Sequence, residues 1–376
     1  MKKKLVIAIV ATTADTINSF MLGHIKKLSK QYNILIYCNN ALSLKKLVPK
    51  NIILIHINFK RKPNLIIDFF TFIILLFSFF KNRPHLTISL SPKAGFITAL
   101  SSFLARISYR IHWFTGQVWV TKKGFVRTFY KILDKIIFNL SHHVLVDSYS
   151  QKKFLITNNI LSKTKSSVLF HGSVGGVNVN KFKYKKTYRN LLRRKLKISK
   201  NDFVFLYLGR INKDKGVIDL IESFKGFQKF NKVFLILVGP METDYIKKYI
   251  NKNKKISYVG KTLFPEKWFS MADILCLPSY REGFGSVIIE AGSCHLPSLG
   301  SNIYGINDAI IENQTGFLHK VGNISDIQKK MLFIINNKKL LKKYGINARK
   351  RVKKNFEENL ISQKFLEFIN SKIDQK

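Results

Sequence analysis

The chain has 376 residues, of which 65 are Lys or Arg and 21 are Asp or Glu, for a formal charge of +44. Its 46% hydrophobic content, with 31 Phe and 14 Tyr, excludes an intrinsically disordered chain and predicts about two domains of ordinary size. Three widely spaced cysteines, Cys38, Cys276 and Cys294, with no CxxC pair, exclude a disulfide framework or structural zinc site and fit a reducing compartment.

The charge has two readings, a Lys-heavy solvated surface or attraction to polyanions such as a phosphorylated substrate, nucleic acid or an anionic leaflet. Charge alone does not choose between them.

The start, Met1-Lys2-Lys3-Lys4 followed by Leu5-Val6-Ile7-Ala8-Ile9-Val10, superficially resembles a signal peptide. Its apolar run is short and no clear small-residue cleavage site follows, so a first buried strand, 5–10, is the better reading. Further strands are expected at 33–37, 52–57, 86–90, 110–114, 143–146 and 167–170, with helices at 17–28, 93–104, 126–140 and 150–157. The apolar run from Leu65 to Phe80, interrupted by Asp68, is short for a spanning helix, which needs about 20 apolar residues. It reads as a buried domain helix or as a helix lying in a membrane interface, where the flanking Lys60-Arg61-Lys62, Lys81 and Arg83 would meet anionic headgroups. The stretch 171–200 breaks the alternation with Gly172-Ser173-Val174-Gly175-Gly176-Val177 and a strongly basic run, and reads as an interdomain connection.

After Asp202 the alternation restarts, with a strand at 203–208, a helix at 217–230, a strand at 233–238 and a helix at 241–250. Strands at 256–259 and 274–277 follow, then a helix from about Phe284, and a Lys-rich helical segment from Ile324 onward. Short continuous apolar strands separated by helices imply βαβ units and parallel sheets covered on both faces. The expected fold class is therefore α/β, with two doubly wound Rossmann-like domains. Ligands in such sheets bind at strand carboxyl ends, so a cleft between the two domains is the expected site.

Two stretches carry chemistry. Ser279-Tyr280-Arg281-Glu282-Gly283-Phe284-Gly285-Ser286, continuing to Glu290, follows the strand at 274–277. Gly283 and Gly285 let a backbone approach a ligand where a helix begins, and a helix N-terminus is a ready diphosphate site. Glu290, about two turns into that helix, has the acceptor capacity to take two hydrogen bonds from a vicinal diol such as a ribose. Glu282 points toward whatever lies beyond the phosphates. The plain alternative is a loop Glu and an exposed helical Glu flanking a tight turn. The second stretch, Gly209-Arg210-Ile211-Asn212-Lys213-Asp214-Lys215-Gly216, follows the strand at 203–208. Arg210 and Lys215 supply positive charge where a leaving diphosphate needs it, although a solvated lysine is the default in so Lys-rich a chain.

These two stretches resemble the signature segments of glycosyltransferase family 4, the retaining nucleotide-sugar transferases with the two-domain GT-B fold. The similarity extends through Gly305-Ile306-Asn307-Asp308, Gln314-Thr315-Gly316-Phe317-Leu318 and the linker Gly176-Val177-Asn178 to Phe182, and so covers essentially the whole chain. In the first half, Ser91-Pro92-Lys93-Ala94-Gly95 and Arg110-Ile111-His112-Trp113-Phe114-Thr115-Gly116-Gln117 look like the subgroup that builds bacterial O-antigen and capsule, where the acceptor is a sugar on a polyprenyl diphosphate. The resemblance implies an acceptor domain at 1–175, a donor domain at 176–355, and a terminal helix at 356–376 packing back on the first. It places Gly209, Arg210, Lys215, Glu282, Gly283, Phe284, Gly285 and Glu290 around the donor, with His112 at a strand's end on the acceptor side. A half-buried structural histidine is the plain alternative for His112. One departure is the loop after the first strand, where many members have glycines and this chain has Ala11-Thr12-Thr13-Ala14-Asp15-Thr16-Ile17-Asn18. Thr13 and Asn18 are the candidate contacts there.

The expected activity is transfer of a sugar, with retention, from a nucleotide-diphosphate sugar to a lipid-linked saccharide in surface polysaccharide synthesis. A uridine donor follows from the subgroup resemblance alone. No metal and no cofactor are implied. The expected location is cytoplasmic, peripheral on the inner membrane through residues 65–80. A nucleotide-sugar 2-epimerase on the same fold is the alternative enzyme, disfavoured by the acceptor-side segment. A basic polyanion- or membrane-binding protein without catalysis would leave the Glu and Gly constellation idle. Nucleic acid is not expected as a partner, because the basic residues are spread along the chain without a recognition motif.

Overall fold

The computed structural model describes residues 4–60, 63–227, 229–242, 246–250 and 254–374. The chain divides into two compact units, one formed by residues 1–176 and 358–376 and the other by 177–357.

In the first unit, β1 (Val6–Thr13), β2 (Asn33–Asn39), β3 (Ile53–His56), β4 (Leu86–Leu90), β5 (Tyr109–Phe114), β6 (His143–Val146) and β7 (Ser166–Val168) form one sheet in the order β3-β2-β1-β4-β5-β6-β7. Every neighbouring pair is parallel. Alternate residues of β1 serve opposite faces, as the two-residue period of a strand requires. Ile7, Ile9 and Ala11 pack with α1 (Ala14–Phe20), α2 (Leu22–Leu28) and the distant α15 (Glu358–Asp374). Ala8 and Val10 pack on the other face with Leu75 and Phe79 of α3 (Leu65–Asn82) and Ala94 and Ile97 of α4 (Pro92–Leu104). Next to α4, α5 (Gly124–Leu140) and α6 (Tyr149–Thr157) cover the far end of that face through Ile137, Phe138 and Leu155.

The helix expected over 17–28 is two, broken at Met21, and α3 is not a buried domain helix. Thr71, Leu75 and Phe79 are its only buried residues, whereas Leu65, Ile66, Phe69, Phe70, Ile74, Phe77 and Phe80 are exposed. A helix on one face of a sheet buries a single stripe, and the sequence here is apolar all round. Arg61 and Lys62 of the basic flank lie outside the described residues, as do Met1, Lys2 and Lys3.

The second unit holds a parallel sheet of β8 (Phe203–Leu208), β9 (Val233–Val238), β10 (Ile256–Gly260), β11 (Ile274–Leu277), β12 (Ser298–Ser301) and β13 (Gly316–His319), in the order β10-β9-β8-β11-β12-β13. Its order reverses between β8 and β11, the topological switch point at which such sheets bind ligands. Helices α7 (Lys186–Lys195), α8 (Val217–Phe224), α9 (Lys247–Ile250), α10 (Pro265–Met271), α11 (Ser286–Ser293), α12 (Ile306–Ala309), α13 (Ile324–Asn336) and α14 (Lys338–Asn355) surround it. Of the helix expected at 241–250, 243–245 lie outside the described residues and only 247–250 are helical among the rest.

The basic run at 171–200 is not simply a connection. Its α7 belongs to the second unit, where Arg189 and Arg193 each bond Asp273, at 2.7 and 2.8 Å. Arg193 also donates to the backbone carbonyls of Met271, Ser199 and Asp202 and is 3% exposed. A guanidinium with five donors finds its partners in the unsatisfied Met271 carbonyl at the end of α10 and in the loop carbonyls of Ser199 and Asp202. These charges hold a fold together rather than face solvent.

Candidate functional site

The carboxyl ends of β8 and β11 are adjacent, and the two signature stretches leave them side by side. After β8 the chain turns through Gly209, where Tyr207 donates its hydroxyl proton to the Arg210 carbonyl at 2.6 Å. Gly239, at φ 142°, lies against this turn, and a Cβ there would strike the Gly209 carbonyl oxygen. Asn212 caps the next helical turn by accepting from Lys215 N–H at 3.2 Å. Gly216 then starts α8 in the left-handed region at φ 63°, with no room for a Cβ beside the Pro278 carbonyl oxygen. Such a glycine is required by conformation and by space.

That close approach docks the two loops. Tyr280 N–H donates to the Asp214 carbonyl at 2.9 Å, and Arg281 Nε donates to the Asp214 carboxylate at 2.9 Å. Lys215 Nζ donates to Glu282 Oε1, which also accepts from Ser279 Oγ at 2.9 Å. Arg210 pairs with Glu242 at 3.1 Å, and Asn212 donates to the same carboxylate at 2.7 Å. Arg210, Lys215 and Arg281 are thus balanced by Glu242, Glu282 and Asp214. Glu242 and Asp214 were not singled out from the sequence. Glu242 lies after β9, and only the sheet order brings that loop to Arg210.

Gly283 and Phe284 are buried, and Phe284 packs its ring 5.2 Å from Phe356. Gly285 caps α11 in the left-handed region, at φ 73°. The expected geometry of a glycine turn opening a helix at a strand's end is present. Because α11 begins at Ser286, Glu290 stands little more than one turn in, nearer the helix start than expected. It is half-buried and has no ion-pair partner among the described residues. Burial pushes its carboxyl up to about 7, opposed by Lys181 and reinforced by Glu266.

In the first unit His112 is a correction. It is the fourth residue of β5 rather than its end, and is 1% exposed. The strand runs on to Phe114, so the imidazole lies on the sheet face beneath the first turn of α4. Its Nδ1 is 2.8 Å from Ser89 Oγ, Phe114 lies edge-on at 4.5 Å, and Gly95 leaves no space above the ring for a Cβ. Burial lowers its pKa to about 3, so it is neutral at physiological pH. Nε2 has no hydrogen-bond partner among the described residues.

At the switch point of this sheet, between β1 and β4, Thr13 caps α1 by accepting from Thr16 N–H, while Asn18 is exposed on that helix. Thr12 Oγ1 and Ser91 Oγ are 2.6 Å apart, and Ser91 holds φ 70°, ψ 149° at the head of α4. That conformation is rare for a side-chain-bearing residue and marks stored strain. Among the described residues no cluster of three or more His, Cys, Asp or Glu side chains is placed to hold a metal ion.

The chain matches the model of the family described as glycosyl transferases group 1 over residues 189–351. It is 30% identical over 321 residues to the capsular polysaccharide biosynthesis glycosyltransferase CapM of Staphylococcus aureus, covering 83% of each chain. It is 27% identical over 251 residues to the N,N'-diacetylbacillosaminyl-diphospho-undecaprenol alpha-1,3-N-acetylgalactosaminyltransferase of Campylobacter jejuni, covering 65% of this chain and 64% of that one. Among solved structures it is similar to Anabaena HepE in complex with UDP, with TM-score 0.79 at 17% identity, covering 98% of this chain and 100% of that one. With both sheets doubly wound and parallel, and the two loops converging at a switch point, the chain belongs to the group 1 glycosyl transferases and is a glycosyltransferase enzyme of the GT-B fold.

Proposed function

We propose that this enzyme is a retaining transferase of family 4. In this reading it moves a sugar from a nucleotide-diphosphate sugar, with uridine the favoured base, to a polyprenyl-diphosphate-linked saccharide during bacterial surface polysaccharide synthesis. The observation that carries the proposal is the docking of the Gly209 to Gly216 loop on the Ser279 to Gly285 loop at the carboxyl ends of β8 and β11. There Lys215 and Glu282 meet directly, Arg210 stands beside them in sequence order, and α11 begins. CapM and the Campylobacter enzyme support the acceptor class through the substrates and pathways in their names, and HepE supports the donor base.

In this reading a departing diphosphate takes the place that Glu282 and Glu242 hold against Lys215 and Arg210. Negative charge developing on the leaving oxygen is met by two cations and the positive end of α11, donors already fixed before reaction. Glu282, released from Lys215, accepts from donor-sugar hydroxyls, and Glu290 from the ribose. Gly209, Gly283, Phe284 and Gly285 shape the backbone around the donor. His112, neutral and buried beneath α4, would shape the acceptor side as a positioning group without touching the acceptor, with Thr13 and Asn18 at the rim of the same sheet. The reading includes no divalent metal and no cofactor, so EDTA is expected to leave turnover unchanged.

The test is calorimetric titration with UDP, GDP and ADP at physiological salt, comparing the parent with Glu290→Gln. Micromolar binding of one nucleotide, abolished by the substitution, supports the donor site and names the base. Equal, weak, salt-sensitive binding of all three overturns it, because a +44 chain then merely collects phosphates. The 2-epimerase alternative predicts donor turnover without any lipid acceptor.

A further inference from the structure

The outer side of the first unit carries two exposed apolar helical stripes, only one of which stands out in the sequence. On α3 the stripe comprises Leu65, Ile66, Phe69, Phe70, Ile74 and Phe77, with Leu65 88% exposed. On α5 it comprises Phe125, Val126, Phe129 and Ile132, with Phe125 83% exposed and the Phe125 and Phe129 rings stacked at 6.4 Å. The residues 125, 129 and 132 recur at helical spacing, so one face of α5 is apolar where a soluble helix would be polar. Both helices flank α4 on the same face of the sheet. Each follows a strand's carboxyl end, so Leu65 and Phe125 both stand at the end of the unit where the Thr12 and Ser91 hydroxyls meet.

The charge around these stripes has one sign. Lys60, Lys81, Arg83, Lys122, Lys123 and Arg127 are exposed at their ends and flanks. The acids of the two helices are Asp68 and Asp134, and neither offers a free charge to the outside. Asp68 is bonded to Lys93 of α4 at 2.8 Å, and Asp134 is 5% exposed, accepting from Trp119 Nε1 at 2.8 Å. An apolar face bordered by cations with no ion-pair partner among the described residues complements an anionic lipid surface, with rings among acyl chains and cationic groups among phosphates. By length and composition α3 is apolar enough to cross a bilayer. It is nevertheless tied at both ends to strands of one sheet, and Leu75 and Phe79 are fixed in the core beneath it, so it lies flat.

We propose that α3 and α5 together form a two-helix platform that seats the first unit on an anionic membrane, with the carboxyl edge of its sheet next to the headgroups. The platform stands on the first unit alone and does not rest on the donor chemistry proposed above. Its test is flotation with vesicles of phosphatidylcholine, with and without phosphatidylglycerol, using the parent, Ile66→Ser/Phe70→Ser and Phe125→Ser/Phe129→Ser. The replaced side chains are exposed, so unchanged thermal unfolding is expected and serves as the folding control. The parent is expected to float with the phosphatidylglycerol vesicles and poorly with phosphatidylcholine alone. Each double substitution is expected to reduce the bound fraction about tenfold, since burying even one aromatic side chain is worth that much. Flotation that survives both pairs of substitutions overturns the platform. So does a concentration-dependent dimer that the Phe125→Ser/Phe129→Ser variant dissolves while vesicle binding stays intact, because a second copy then covers the face.

Discussion

Lys215 donates its ammonium proton to the Glu282 carboxylate across two loops that are 67 residues apart in the chain. Both side chains are mostly buried, at 17% and 15% exposure, so this pair fixes the loops in the register that a donor would meet. A pair of this kind is costly to break from one side, because the partner left behind keeps a poorly solvated charge.

Replacing Lys215 by Ala is expected to lower kcat/KM on the order of 10²-fold or more if the ammonium neutralises the leaving diphosphate. The same loss would follow if Lys215 did no more than hold Glu282. The double substitution Lys215→Ala/Glu282→Gln separates the two, since it removes the orphaned carboxylate. Turnover of the double variant well below that of Glu282→Gln alone identifies Lys215 with the diphosphate, and turnover equal to that of Glu282→Gln assigns it to loop positioning.

Glu290 carries the pH dependence of the donor site. Burial raises its pKa from 4.5 to about 7, and only the carboxylate form accepts from both ribose hydroxyls with both oxygens. UDP affinity is therefore expected to weaken as pH falls through about 7, towards the level that Glu290→Gln shows at every pH. Stability moves the other way. Between pH 4.5 and about 7 the folded state holds a proton that the unfolded state has released, so stability falls as pH rises across that window. Glu290→Gln should then stabilise the free enzyme by about 1–3 kcal/mol at pH 8. A urea midpoint at pH 8 unchanged by the substitution would sink the burial argument.

Much of this was legible in the sequence, for reasons particular residues make plain. Apolar strands such as Phe203–Leu208 carry their own signal, and Gly285 before Ser286 announces a helix start. Ser298–Ser301 gave none. It is short and polar, and is buried because it pairs with β11 and β13, with Gly300 small enough to lie under Ile306 and Ile310. Nor does a sequence distinguish an exposed basic run from Arg193, whose partners include the Met271 carbonyl and Asp273 on a segment about 80 residues away. The α5 stripe was hidden similarly, since periodicity identifies an apolar face without revealing whether anything covers it.

The glycines at the loop junction set a third test. Gly216 has φ 63° and no space for a Cβ beside Pro278, whereas Gly260 has φ 86° with nothing within 4 Å. Gly260→Ala is expected to cost the conformational strain alone, about 1 kcal/mol. Gly216→Ala must add displacement of the Pro278 backbone, which carries Ser279 and Glu282. It is expected to destabilise by about 2–4 kcal/mol and to weaken UDP binding as well. Equal midpoints for the two variants in urea would show that the loops are not docked at Gly216.

Acid sensitivity should be concentrated in the first unit. Burial holds His24 near a pKa of about 4 against its hydrogen bond to the Val174 carbonyl, and holds His112 near about 3. His143 is lowered to about 4 by burial first and then by Lys372, Lys152 and Lys165. Unfolded, all three take a proton below about 6.5, so between pH 6.5 and about 4 the unfolded state binds three protons that the folded state refuses. Asp134 opposes them. Burial lifts its pKa to about 7 against the Trp119 hydrogen bond, so the folded state gains one proton over much of the same range. The balance is about two protons, and stability should fall by about 3 kcal/mol for each pH unit between about 6 and 4. In the second unit burial lowers His295 and His319 in the same sense but by less, and Glu290 works against them. Trp113 and Trp119 lie in the first unit and Trp268 in the second, so fluorescence of a Trp268→Phe variant follows the first unit alone. Its urea midpoint is expected to drop steeply between pH 6.5 and 5, and His112→Asn, if it folds, to make that drop shallower. A midpoint that stays level across this range would mean that these histidines are protonated in the folded protein and that their burial costs nothing.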